Sequence, residues 1–160
     1  MLDTAQFNAY AAKYMDTVFR LAFSMLKSPA DADDVTQNVL LSLYRTDYQF
    51  ESDEHVRSWL MKVTVNECRK VWRRPFRRHE NIDDYAETLA FEDPSYQDLF
   101  EAIMQLDRDK RTVIVLYYIE GYSIKEIAEI LNVPAATIGT RLARARAKLA
   151  QYLKEEESNE

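Results

Sequence analysis

Cysteine is nearly missing from this chain of 160 residues: Cys68 stands alone, so no intrachain disulfide can form. With only His55 and His79 beside it, no ligand set is spaced like a structural zinc site. A reducing, cytoplasmic setting suits such a composition. Glycine and proline are scarce as well, at two and four residues, which leaves little turn punctuation. Sustained apolar-polar alternation, the mark of a half-buried strand, is absent. Charged residues interrupt every apolar run well before the roughly 18 residues of a membrane span, and neither terminus carries a secretory apolar core. The expectation is a soluble, all-α protein without membrane insertion. Chemistry is sparse too. There is no glycine-rich phosphate loop and no Ser/His/Asp constellation, and a calcium loop opening at Asp31 would need glycine and glutamate where Thr36 and Ser42 stand. No catalysis, metal or cofactor is expected.

Charge is plentiful but segregated. The net value of -6 argues against a nucleic-acid partner only if it is evenly spread. Between residues 57 and 79 there are eight basic residues against the single acid Glu67, whereas residues 80–109 hold ten acids against Arg108. Residues 135–149 are basic again, with Arg141, Arg144, Arg146 and Lys148 and no acid. Two cationic zones therefore flank an anionic one.

Apolar spacing predicts the helices. Phe7, Tyr10, Ala11, Tyr14, Val18, Leu21, Ala22 and Met25 recur at steps of three and four, giving a first helix that stops near Lys27. Ser28-Pro29, with Asp31 after them, supplies an N-cap, a first-turn proline and an acid at the positive end of the next helix dipole. That helix turns Ala32, Val35, Val39, Leu40 and Leu43 inward. Residues 46–55 have no period and read as a loop. The third helix bears two apolar stripes, Val56/Trp59/Leu60/Val63 and Met61/Val65/Cys68/Trp72, so it is deeply buried or lends one stripe to a partner; Trp59 is assigned to the core. Pro75 ends it. Leu99, Ile103 and Leu106 mark one later helix, and Val113, Leu116 and Tyr117 another that Gly121 can close in a left-handed conformation. The expected division is a helical domain at 1–74, a flexible acidic linker at 75–97, a second helical domain at 98–153 and an acidic tail at 154–160.

The second domain holds a helix-turn-helix pattern. Ser123 and Glu126 form a capping box, Ile124, Ile127, Ala128 and Leu131 give a short inward face, and Asn132-Val133-Pro134 breaks it, with Pro134 placed to open the next helix. On the longer helix that follows, Ala135, Ile138, Leu142, Ala145 and Leu149 share one side, with Thr137, Arg141, Arg144 and Lys148 opposite. Such a second helix fits the major groove, its early hydroxyls and guanidinium groups reaching base edges and its later cations meeting phosphates. A solvated helical hairpin would show the same periodicity. Gly139, inside this helix, supplies no side chain and costs roughly 1 kcal/mol relative to alanine.

Three stretches in order, "DADDVTQNVLLSLYR" (31–45), "VRSWLMKVTVNECRKVWRR" (56–74) and "GYSIKEIAEILNVPAATIGTRLARARAKL" (121–149), resemble the extracytoplasmic-function sigma factors of bacterial RNA polymerase. The resemblance implies a promoter-specificity subunit that binds core polymerase, then recognises and melts promoter DNA. Its first domain would dock on the clamp helices of the largest subunit through Asp31, Asp34, Gln37, Asn38 and Arg45. Asn66 would read a flipped minus-ten base, with Tyr48 and Phe50 at the pocket rim and Arg69, Lys70, Arg73 and Arg74 on phosphates. The second domain would meet the polymerase flap and read the minus-thirty-five element through Thr137, Thr140, Arg141, Arg144 and Lys148. The acidic linker would pass through the RNA path, and an anti-sigma protein would hold the chain inactive. Two departures are visible: Gly139 stands where the family commonly has a cation, and Asp107 where it usually has proline. A stand-alone regulator that binds an operator as a dimer without polymerase is the rival reading, and an adaptor that binds no DNA is a third.

Overall fold

The computed structural model describes residues 1–75 and 94–158, all helix, turn or irregular chain. Residues 76–93, most of the expected linker, lie outside the described residues, as do the last two residues of the tail. The chain divides into two helical units, Met1–His79 and Glu80–Glu160.

In the first unit, α1 (Thr4–Leu26) is capped by Asp3, whose carboxylate accepts the Gln6 N–H at 2.8 Å. It ends at Lys27, a non-glycine residue at φ 53°, whose N–H bonds the Phe23 carbonyl at 2.9 Å. This left-handed turn feeds directly into α2 (Pro29–Arg45), where Ser28 accepts the Asp31 N–H and Pro29 occupies the first turn, as expected. After the loop, α3 (Asp53–Trp72) begins at an N-cap serine, Ser52. Each of the three helices packs on the other two. Val18, Leu21, Ala22 and Met25 meet Val35, Val39 and Leu43, together with Val56, Leu60, Met61, Val65 and Cys68, all buried. Most of the wide apolar arc of α3 is thus used within the bundle, covered by α1 and α2 from two sides, while Trp59, Val63 and Trp72 stay half-buried.

The second unit contains α4 (Pro94–Gln105), α5 (Arg108–Ile114), a π-helical turn (Val115–Ile119), α6 (Ile124–Leu131) and α7 (Ala135–Ser158). Helix α7 packs on α4, α5 and α6. Asp107 caps α5 by accepting the Lys110 N–H at 3.1 Å, and Gly121 sits at φ 78° as expected. The expectations at four places change. Leu99 is 40% exposed rather than inward, because the buried arc of α4 runs through Ala102, Ile103, Met104 and Leu106. Helix α4 already starts at Pro94, inside the stretch read as linker; proline fits a first turn, whose N–H groups have no intrahelical partner. Residues 154–158 of the expected tail continue α7, since lysine and glutamate are strong helix formers. Pro134 precedes this helix instead of opening it, and its carbonyl accepts the Ile138 N–H at 3.2 Å.

Candidate nucleic-acid interface

Aromatic rings cluster where the loop meets α3. Phe50 is half-buried, 5.5 Å from the Trp59 ring centroid and 6.1 Å from that of Tyr10, both edge-on. Tyr48, half exposed, lies 5.4 Å from Phe50, and His55 stands edge-on to both at 5.1 and 5.7 Å. Trp59 is only half-buried, so its assignment to the core gives way to a place under these rings. A small open cavity of about 230 Å³ beside Tyr48 and Phe50 is lined also by Tyr10, Thr46 and Asp47. Loop and helix are tied to α1 by Lys13, which pairs with Asp53 at 2.6 Å, and by the Tyr14 hydroxyl, which donates to the Asp53 carbonyl at 3.1 Å.

Farther along α3 and just past its end, Lys62, Asn66, Lys70, Arg73 and Arg74 are exposed, and the first four recur at helical spacing on one stripe. Arg69 is half-buried, and Lys70 pairs with Glu67 at 2.9 Å. Asn66 is two turns beyond Trp59, roughly 10 Å along the axis. The structure therefore does not gather Asn66 and the loop rings into one pocket; they form two stations along one helix. Lys62, one turn before Asn66, was not singled out in the sequence, although its spacing of four from Asn66 was there to be used.

On α2 the expected polymerase-facing set splits. Asp31 is 2% exposed, because the left-handed turn at Lys27 folds the first turn of α2 back into the bundle, where Ser28 is buried too. It cannot touch a partner in this fold, and its assignment to a docking surface is withdrawn. Asp34 is half-buried, whereas Gln37, Asn38 and Arg45 are exposed. Leu41, 44% exposed, joins them at positions 37, 38, 41 and 45. Sequence reasoning missed it; the available signal was a leucine off the inward stripe of 32, 35, 39 and 43.

In the helix-turn-helix the capping box is closed in both directions, and Asn132 ends α6 at φ 56°. Ile127, Ile130 and Leu131 face Ile138, Leu142 and Ala145 across a buried core, which fixes the outer side of α7. On that side Thr140, Arg144 and Lys148 are exposed, and Thr137 and Arg141 are half-buried. Arg141 comes within 3.9 Å of Asp109, a loose pair that leaves its other nitrogens available. The Thr140 hydroxyl donates to the Ala136 carbonyl at 3.0 Å and keeps its lone pairs for an incoming donor. Arg146 leaves the cationic face: it donates to the Tyr118 hydroxyl and lies 5.6 and 5.5 Å from the Tyr117 and Tyr118 ring centroids. A Cβ at Gly139 would meet nothing within 4 Å, so no neighbouring helix demands the glycine.

The cationic stripe on α3 and the one on α7 thus belong to separate helical units, each with an apolar core that fixes which side its cations occupy. Comparison with known proteins gives the same division. Residues 11–78 match the family described as Sigma-70 region 2, and residues 96–149 match Sigma-70, region 4. The chain is 32% identical to the ECF RNA polymerase sigma factor SigM of Mycobacterium tuberculosis over 155 residues, covering 94% of this chain and 79% of that protein. It is 28% identical to the ECF RNA polymerase sigma factor SigW of Bacillus subtilis, covering 89% and 86%. Among solved structures, CnrH bound to the cytosolic domain of CnrY matches with a TM-score of 0.68 at 26% identity, over 96% of this chain and 90% of that one. The fold is shared too with the sigma factor RpoE of Bartonella quintana, solved with the anti-sigma factor NepR, at a TM-score of 0.67 and 22% identity over 93% and 97%.

Proposed function

Because the chain belongs to the extracytoplasmic-function sigma factors of RNA polymerase, we propose that its exposed cationic helix stripes grip the minus-ten and minus-thirty-five elements of one promoter while α2 grips core polymerase. As a sigma factor it is the promoter-specificity subunit of the polymerase. The observation that carries the assignment of surfaces is the pair of stripes on two helical units, Lys62/Asn66/Lys70/Arg73/Arg74 along and just past α3 and Thr137/Thr140/Arg141/Arg144/Lys148 on α7.

Melted DNA exposes base edges and faces, which amides and aromatic rings recognise better than a groove-fitting helix does. Asn66 offers a donor and an acceptor side by side, and Tyr48, Phe50 and Trp59 offer ring surface about two turns away. They contact different nucleotides of the same displaced strand, with the α3 cations on its phosphates. On α7, Thr137, Thr140 and Arg141 face base edges, and Arg144 and Lys148 face phosphates. On α2, Gln37, Asn38, Leu41 and Arg45 form the surface for the clamp helices of the largest subunit, and the second unit meets the flap. The chain acts in the cytoplasm without catalysis of its own and is restrained by an anti-sigma protein. That last point is supported by two similar solved proteins, RpoE bound to the anti-sigma factor NepR and CnrH bound to the cytosolic domain of CnrY.

A stand-alone operator-binding regulator is not favoured, because the region 2 match spans the first unit, which such a regulator does not need. Run-off transcription with purified core polymerase and sheared genomic DNA tests the assignment. Discrete starts should require the full chain, and replacing Arg141 and Arg144 together should abolish them; tight duplex binding by the chain alone, with no starts, would support the regulator instead.

A further inference from the structure

Helices α3 and α6 each start with a serine N-cap and a side chain three residues later that reaches back, and they differ in the chemistry of that second group. At α6 it is a carboxylate: Glu126 Oε1 accepts the Ser123 N–H at 3.0 Å while Ser123 Oγ accepts the Glu126 N–H at 3.1 Å. At α3 it is an imidazole. Ser52 Oγ accepts the His55 N–H at 3.1 Å, and His55 Nδ1 accepts the N–H of Glu51 at 3.3 Å, one residue farther out than in the usual box. The same half-buried ring stands edge-on to Tyr48 and Phe50. One side chain therefore holds the loop at three points.

We propose that His55 is the positioning residue for Tyr48 and Phe50 in promoter opening, and that it holds their loop only while its imidazole is neutral. This rests on the reading of those rings as part of the minus-ten surface. A neutral imidazole has one acceptor nitrogen and an imidazolium has none, so protonation releases the Glu51 N–H. It also sets a cation at the positive end of the α3 dipole. The charged neighbours in sequence are Glu51 of the loop and Asp53, Glu54 and Arg57 of α3, with Asp53 paired to Lys13 of α1, and the Tyr48 phenol lies against the ring. Imidazole is the side chain that changes charge between about pH 5 and 8.

The test uses the full chain in two measurements. In the free protein, labelled with nitrogen-15 and followed from pH 7.5 to 5.5, the Glu51 amide resonance should move with the His55 ring. In His55→Gln, whose amide oxygen accepts at every pH, it should stay still. In holoenzyme reconstituted with core polymerase, on promoter fragments recovered by run-off transcription, wild-type opening should fall about three- to tenfold relative to His55→Gln over the same range, the loss of one hydrogen bond. His55→Ala should be poor at both ends. A Glu51 amide indifferent to the His55 ring overturns the proposal, as does His55→Gln opening that falls as steeply as wild type. If Tyr48→Ala and Phe50→Ala open promoters normally, the proposal also falls; an amide that still tracks His55 would then locate the failure in the reading of the rings, not in the hydrogen bond.

Discussion

Asn66 and Asp31 are both polar residues on helices of the first unit, yet burial separates what they can do. Asn66 is exposed between Lys62 and Lys70, so its amide is free to meet a base edge, and nothing in the bundle depends on it. Asn66→Ala should therefore slow promoter opening about tenfold or more while leaving affinity for core polymerase unchanged, one lost bidentate contact being worth about 1–3 kcal/mol. Permanganate footprinting alongside a core-binding assay checks this, and equal loss in both would remove the base-reading role. Leu41 is the reverse case, an apolar side chain left 44% exposed among Gln37, Asn38 and Arg45. A leucine buried on docking is worth about 1.5–3 kcal/mol. Leu41→Asp should weaken core binding at least tenfold with the helix content of the free chain unchanged; undiminished core binding would show that the docking surface lies elsewhere.

Helix ends carry the next level of organisation, and one of them titrates. The Asp107 carboxyl lies below its ordinary 3.8 chiefly because the Lys110 ammonium hydrogen-bonds it, and next because it accepts the Lys110 backbone N–H. A carboxyl depressed in the folded state stabilises fully above the unfolded value, and that stability is lost as pH falls through the lower folded value. Asp107→Asn should thus reduce hydrogen-exchange protection in α5 at pH 7, with the gap to wild type closing as pH falls through the lowered carboxyl value. A gap that persists in acid would mean that the cap does not act through its charge. Gly139 makes a second case. With open space at its Cβ, Gly139→Ala should stabilise the second unit by about 0.5–1 kcal/mol, read as slower amide exchange in α7; destabilisation would mean that the backbone there needs glycine. These examples also show what a sequence discloses. Ser28-Pro29, Asp107 and the Ser123/Glu126 box are readable because a cap is made by residues three apart. The left-handed conformation at Lys27 is not, since lysine carries no mark for it, and the π-helical turn, in which the Glu120 N–H bonds the Val115 carbonyl at 2.9 Å, has no compositional mark. The candidate site divides in the same way. The cationic stripes follow from helical spacing, whereas the burial of Asp31, the exposure of Leu41 and the ring cluster around His55 depend on how α1, α2 and α3 meet.

Charge segregation decides how the two units act together. At a net charge of -6 the free chain gains little from counterion release on DNA, because anionic residues lie near its cationic stripes in sequence. On the proposed assignment each unit, bound to polymerase, would present its stripe locally, and only phosphates within about a Debye length, roughly 8–10 Å, would count toward its affinity. The salt dependence of promoter binding by the holoenzyme should then be the sum of a few contacts whose removal is separable. Each phosphate contact contributes about 0.9 to the slope of log affinity against log salt. Arg144→Ala combined with Lys148→Ala should flatten that slope by about two on duplex carrying both promoter elements, and by nothing on a template that keeps only the minus-ten region. Arg73→Ala with Arg74→Ala should do so on both. If the α7 pair flattened the slope equally on the two templates, its cations would be acting through general attraction rather than at a defined site, and the assignment of one stripe to each element would not hold.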